Sequence, residues 1–366
     1  MEKRKKVNIK QLLRKNIQKL EPYQVIAEVP AIKLDANENN WLAGCFQERL
    51  AEKIKNIPLH QYPDTNCLEL RQKLAAVHGI KEENVLTGVG SDQIIAWLVQ
   101  AFVGSEDRVT TMNPTFGMYG INTMMVGGKL IEIPLDEELQ FQPEIFLKSI
   151  LEEKPKLVFI TNPNNPTGGV IEDYLLNKLL EEIPEDVVIV ADEAYYEFYG
   201  KTLANRIAEH QNLIVLRTLS KAYGLAGARV GYALASQTMI DAVSRVKPPY
   251  HMSCLDQAAG LVCLDMMSEV KESLVNTVKW RQYLETFFSQ LKQQGKDKTL
   301  KVFPSYTNFI LLKTVHAEGL IEKLQENEIS VRGYGKEGIL ANSLRVTVGT
   351  EVENRKLQQV IDAYYG

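Results

Sequence analysis

From about residue 68 the chain alternates long amphipathic stretches with short apolar runs rich in β-branched residues, and this alternation constrains the fold more than any other feature. The runs "RVTTM", "KLIEIPL", "KLVFIT", "DVVIVAD", "NLIVLRT" and "ARVGYALA" have the length and composition of strands. Between them, "LELRQKLAAVHG" reads as a helix stopped by Gly79, and "SDQIIAWLVQAFV" as a helix capped by Ser91 or Asp92. "IEDYLLNKLLEEIP" carries helical spacing and ends at a proline. Strands that recur between helices predict an α/β fold: a mainly parallel sheet covered by helices on both faces.

After about residue 255 the texture changes. A long helical region, "DQAAGLVCLDMMSEVKESLVNTVKWRQYLETFFSQLKQQG", precedes the strand "SYTNFILLKT", a helix, and the strand pair "ISVRGYG" and "SLRVTVGT". The expectation is a smaller α+β domain over 256–366, a large domain over 37–255, and an N-terminal arm over 1–36 that packs on the small domain and on a dimer partner. The prolines of "KPPYHMS" mark the expected boundary.

In an open parallel sheet, ligands bind beyond the carboxyl ends of the strands, where helix N-termini also gather. Asn165 follows "KLVFIT", Asp192 ends "DVVIVAD", and Lys221 follows "NLIVLRTLS". Three strands thus each deliver a polar group to one crevice. A lysine amine condenses with an aldehyde, and pyridoxal 5'-phosphate is the common aldehyde cofactor that needs such an anchor. Asp192 offers the carboxylate its pyridine nitrogen needs, and Asn165 and Tyr195 offer donors to its phenolic oxygen. Thr218, Ser220, Arg229 and the amides opening the helix after Gly90 suit its phosphate. Each feature alone is ordinary: an isolated strand-end lysine is commonly a solvated charge, and "GVGSD" could be a plain turn. Their occurrence together and in order is not ordinary.

With "NPNNPTG", "ADEAYYEF" and "SKAYGLAGARVGY" in place, the chain resembles the fold-type I, aspartate aminotransferase-like pyridoxal-phosphate enzymes of class I/II. Within that group it is most similar to the histidinol-phosphate aminotransferases, through "LEPYQ", "IKLDANEN", "HQYPD", "TGVGSDQII", "NPTFGMY", "TNFILLK" and "SLRVTVG". The resemblance implies a seven-stranded large-domain sheet and a homodimer with shared active sites. It also implies transamination between histidinol phosphate and 2-oxoglutarate, yielding glutamate, in histidine biosynthesis. By matched motif position, Lys221 holds the cofactor covalently and shuttles a proton, Asp192 pairs with its ring nitrogen, and Asn165 and Tyr195 bond its phenolate. Phe116 stacks on the ring, and Gly90, Ser91, Asp92, Thr218, Ser220 and Arg229 surround the phosphate. Tyr62 reaches the phosphate in the neighbouring subunit. Tyr23, Asn37, Asn165, Arg332 and Arg345 are the implied substrate contacts. The chain departs from the pattern at Asn40, Trp41 and Leu42 after "DANEN", and at Tyr223, where phenylalanine is common.

Other classes fit less well. A formal charge of −4 gives no basic face for nucleic acid, and no apolar run approaches the roughly 20 residues that span a bilayer. The four cysteines lack paired spacing and the five histidines form no metal motif, so a reduced, cytoplasmic protein without a metal is expected. A ligand sensor of the same fold would need a DNA-binding module, and about 36 residues before the catalytic pattern show no helix-turn-helix. A threonine-phosphate decarboxylase or an aromatic aminotransferase of the same fold would keep nearly all of these residues and remains a competing reading.

Overall fold

The computed structural model describes residues 8–22 and 30–366. The chain forms β1 (Ile32–Lys33), α1 (Gln47–Ile54), α2 (Leu68–His78), β2 (Val85–Val89), α3 (Gly90–Phe102), β3 (Arg108–Asn113), α4 (Met118–Val126), β4 (Lys129–Pro134), α5 (Pro143–Glu153) and β5 (Leu157–Thr161). Then follow α6 (Asp173–Glu182), β6 (Val188–Asp192), α7 (Tyr196–Tyr199), β7 (Leu213–Thr218), β8 (Val230–Ala235), α8 (Gln237–Ser244) and α9 (Cys254–Asp265). The remainder is α10 (Met267–Gln293), β9 (Lys301–Val302), β10 (Phe309–Lys313), α11 (Ala317–Glu326), β11 (Ile329–Ser330), β12 (Arg332–Gly333), β13 (Ser343–Thr347) and α12 (Glu351–Tyr365).

Seven strands form one sheet in the order β2-β8-β7-β6-β5-β3-β4, in which only the pairings of β8 are antiparallel. Every residue of β5, β6 and β7 is buried, and alternate residues enter different cores. Val158, Ile160, Ile189 and Val215 pack on one face, and Phe159, Val190, Ile214 and Leu216 on the other. A strand of period two with both faces covered is apolar along most of its length, which explains the continuous runs in the sequence, and the polar residues of these strands, Thr161, Asp192, Arg217 and Thr218, stand at their carboxyl ends.

A second sheet has the order β12-β13-β10-β9, and a short parallel pair joins β1 to β11. Ile310, Leu312, Leu344 and Val346 bury their side chains against Leu284 and Phe288 of α10 and Leu357 and Ile361 of α12. Phe309 and Leu311, on the opposite face of β10, join the core of the large sheet instead. Strand β10 is therefore the seam between the two sheets.

Several details differ from the sequence expectation. Helix α3 begins at Gly90 with Val89 as its N-cap, and neither Ser91 nor Asp92 caps it. The positive φ of Gly90 (+74°) turns the strand directly into the helix, so no capping side chain is needed. The long helical region is two helices, broken at Met266. "KPPYHMS" interrupts regular structure between α8 and α9, yet the chain stays with the large sheet there: α9 packs on α1, α2 and β8. "ISVRGYG" is divided between two sheets, because β11 pairs with β1 whereas β12 pairs with β13. Of the N-terminal arm, Ile32–Lys33 joins β11, while Arg14 and Asn16 donate to the carbonyls of Met124 and Met125 at the end of α4. No helix among the described residues is long and apolar enough to cross a membrane.

Candidate active site

A cavity of about 410 Å³ opens at the carboxyl ends of β5 and β6 and is closed on its far side by β12 and β13. It lies beside the place where the chain, having built β3 and β4 outward, returns to lay down β5, the topological position at which open α/β sheets bind ligands. Ser91, Phe116, Asn165, Asp192, Tyr195, Lys221, Arg332 and Arg345 all line it, as does Asn37.

Lys221 Nζ donates to the carbonyl of Ala36 at 2.9 Å. Burial, and secondarily the Arg345 charge, bring its pKa down to about 8. Asp192 is 3% exposed. Burial pushes its carboxyl up to about 6, against the hydrogen bonds from the Tyr119 hydroxyl (2.8 Å) and the Ala194 amide (3.1 Å) that favour the ionised form. The adjacent Glu193 turns the other way, pairing with the buried Arg217 at 2.8 Å, so the Asp192 charge is the one left facing the cavity.

The hydrogen-bond donors around Asp192 are oriented by their own partners. Asn37 has a left-handed backbone (φ +56°) and is almost fully buried. Its Oδ1 accepts from the Thr347 hydroxyl, so its Nδ2 donates to the Tyr195 hydroxyl oxygen at 2.8 Å. With that oxygen occupied as an acceptor, the Tyr195 proton is free for another acceptor, and burial raises the phenol to about 12, which keeps it protonated. Asn165 behaves similarly: Oδ1 accepts from Arg345 Nη1 at 2.6 Å, leaving Nδ2 as its donor to the cavity. Arg345 Nη2 donates to the Asp35 carbonyl, and its Nε is buried without a hydrogen-bond partner. Arg332 stands directly opposite Arg345 in the β12–β13 register, so the two guanidinium groups share one face of the small sheet.

At the other end, Gly90, Asp92, Thr218, Ser220 and Arg229 form a cradle behind Ser91. Arg229 Nη2 donates to Asp92 Oδ2 at 3.1 Å and Nη1 to Ser220 Oγ at 3.4 Å. A Cβ on Gly90 would lie 2.5 Å from Arg229 Nη2, and a Cβ on Gly231 would lie 2.2 Å from the Gly90 carbonyl carbon and the Ser91 nitrogen. Gly231 is what lets β8 approach the start of α3, because its Cβ would meet backbone, whereas Gly90 is held to glycine by its positive φ and a Cβ there would meet only the movable Arg229 side chain. Asp92 fits the cradle as the group that holds Arg229; its own carboxylate would repel a phosphate.

One implied site residue lies elsewhere. Tyr62 is exposed, stacks on Tyr250 at 4.4 Å and lines no part of the cavity of its own chain. Tyr23 lies outside the described residues. The departures from the family pattern lie in the packing. Leu42 joins the core of the large sheet, Trp41 packs beside that of the small one, Asn40 bonds Glu353, and Tyr223 is buried. Tyr119, Tyr334 and Leu340 also line the cavity and were not anticipated. The signal for Tyr119 was available in "NPTFGMY", where it follows Phe116 by three residues, one helical turn.

The matching family model, aminotransferase class I and II, covers residues 29–363. The chain belongs to the aminotransferase class I and II family. Its similar relatives include the histidinol-phosphate aminotransferase of Clostridium novyi, 36% identical, with 94% of this chain and 95% of that protein covered. That of Thermoanaerobacter sp. is 38% identical over 93% and 95%. Among solved structures, histidinol-phosphate aminotransferase from Sinorhizobium meliloti in complex with pyridoxal-5'-phosphate superposes with a TM-score of 0.87 at 24% identity, over 96% of this chain and 98% of that one. At that identity the superposition establishes the fold: this aminotransferase has the fold-type I architecture, and its family uses pyridoxal phosphate.

Proposed function

We propose that this aminotransferase takes pyridoxal 5'-phosphate as cofactor and transfers the amino group of histidinol phosphate to 2-oxoglutarate, giving imidazole acetol phosphate and glutamate in histidine biosynthesis. The observation that carries the reading is a single cavity in which an amine, a carboxylate and two hydrogen-bond donors from three strand ends face two guanidinium groups from the small sheet. The cofactor supplies the aldehyde that takes up an amino group and the ring that accepts the electron pair left when a substrate Cα loses its proton.

The residues fit that group. Lys221 provides the amine for attachment and, when released, carries the proton to and from Cα. Asp192 opposes the ring nitrogen, Asn165 Nδ2 and the Tyr195 hydroxyl donate to the phenolic oxygen, and Phe116 covers the ring. Ser91, Thr218, Ser220, Arg229 and the first amides of α3 receive the phosphate, with Tyr62 from a second copy of the chain in a homodimer. Arg332 and Arg345 suit the substrate phosphate, and Tyr23, by its motif, is the further contact proposed for it.

Steady-state turnover should be ping-pong and faster with histidinol phosphate than with phenylalanine or threonine phosphate. Equal or better turnover with phenylalanine overturns the substrate assignment. Arg345→Lys keeps the charge but loses the fork, and is expected to raise KM for histidinol phosphate about tenfold. The uptake of cofactor by apoprotein should also report Lys221, because the neutral amine is the reactive form. With its pKa near 8, the rate is expected to climb about tenfold per pH unit below that value and to level off above it. A rate that is flat from about pH 6.5 to 9 would remove Lys221 from that role.

A further inference from the structure

We propose that Tyr119 is a positioning residue for the cofactor: its hydroxyl holds the Asp192 carboxylate ionised and aimed at the ring nitrogen. This rests on the cofactor reading above and adds a residue whose part is decided by the direction of a hydrogen-bond chain.

Tyr119 is fully buried, and its ring lies flat on Phe159 at 4.1 Å and edge-on to Phe116 at 5.7 Å. Its hydroxyl touches two oxygens, Asp192 Oδ2 at 2.8 Å and Thr161 Oγ1 at 2.9 Å. One proton cannot serve both, and the surroundings decide where it goes. Asn164 Nδ2 donates to the Pro114 carbonyl and to Thr167 Oγ1, which turns its Oδ1 toward Thr115. The Thr115 hydroxyl donates to Asn164 Oδ1 at 2.8 Å or to Thr161 Oγ1 at 3.1 Å and in neither case takes the Thr161 proton, and an ionised Asp192 can only accept, so the Thr161 hydroxyl donates to Tyr119. The Tyr119 proton is left for Asp192. With the Ala194 amide on Oδ1, each carboxylate oxygen receives a donor and the rotation of the group is set. A carboxylate held by donors stays charged, and a charged, aimed carboxylate is what keeps a ring nitrogen protonated.

Tyr119→Phe removes the hydroxyl and keeps the ring on Phe159. The apoprotein of this variant should bind pyridoxal phosphate about tenfold or more weakly by absorbance titration. Its kcat should fall while KM for histidinol phosphate holds. The pH midpoint of the bound cofactor's visible band should move up, because a less firmly protonated ring withdraws less charge from the lysine nitrogen. A purely structural role would lower the melting temperature and leave both the affinity and the midpoint unchanged, and that result overturns the proposal. Should Tyr119→Phe fail to fold, Tyr119→His tests the same bond, because its ring N–H can still donate to Asp192: cofactor affinity and band midpoint near those of the wild type support the proposal, and a loss of affinity of about tenfold overturns it. Wild-type protein that takes up no pyridoxal phosphate would instead defeat the cofactor reading itself, independently of Tyr119.

Discussion

Lys221→Ala is expected to reduce transamination by about 10⁴-fold or more and to abolish the visible band of lysine-bound cofactor. Among the described residues lining the cavity Lys221 is the single lysine, and the cations that share the site, Arg332 and Arg345, cannot condense with an aldehyde or exchange a proton near neutral pH. Removing its side chain therefore takes away the proposed covalent anchor and proton carrier together, and no neighbour among the residues lining the cavity would replace either. Asn37 keeps its bond to Tyr195 and Tyr119 its bond to Asp192 in the variant, so melting temperature should change little. Lys221→Arg restores positive charge without the chemistry and should be equally inactive. Measurable turnover with the band intact in either variant would show that the covalent group lies elsewhere.

The second large effect is structural. Gly231→Ala would place a Cβ 2.2 Å from two backbone atoms, the Gly90 carbonyl carbon and the Ser91 nitrogen, and backbone cannot move aside as a flexible side chain can. Strand β8 and the start of α3 must separate, at a cost of about 3 kcal/mol or more. For a chain of this size that corresponds to a melting temperature lower by about 4 °C. The damage is directed at the site, because Ser91 lines the cavity and Gly90 donates its amide to the Arg229 carbonyl at 2.7 Å. Cofactor affinity should therefore fall with stability. Gly227→Ala is the internal control: no atom lies within 4 Å of its added Cβ, and it should match wild type in both measurements. Equal behaviour of the two variants would refute the close approach of β8 to α3.

These expectations show how unevenly the site was legible. The strands that carry Asn165, Asp192 and Lys221 could be read directly, since strands buried on both faces are apolar along most of their length and their carboxyl ends are marked by the first polar residues. Strand β2 was missed as a strand because "VLTGV" is short and contains glycine, and its pairing with β8 is between segments more than 140 residues apart. The start of α3 differs for a related reason: the sequence puts Gly90 before a helix capped by Ser91 or Asp92, whereas its left-handed backbone opens the helix and serves as the junction itself.

What the amino-acid order determined by itself is the central strands of the sheet, the order in which polar groups arrive at its carboxyl edge, and the chemical types of those groups, because periodicity and residue type are local properties. What only the tertiary structure decided is direction. Asn37 meets Tyr195 across 158 residues, Arg345 meets Asn165 across 180, and Tyr119 meets Asp192 across 73. A hydroxyl or an amide can give or accept, and which it does depends on partners that no local pattern reveals. Only once those partners are packed together does the proton of Tyr195 become free and that of Tyr119 become committed to Asp192.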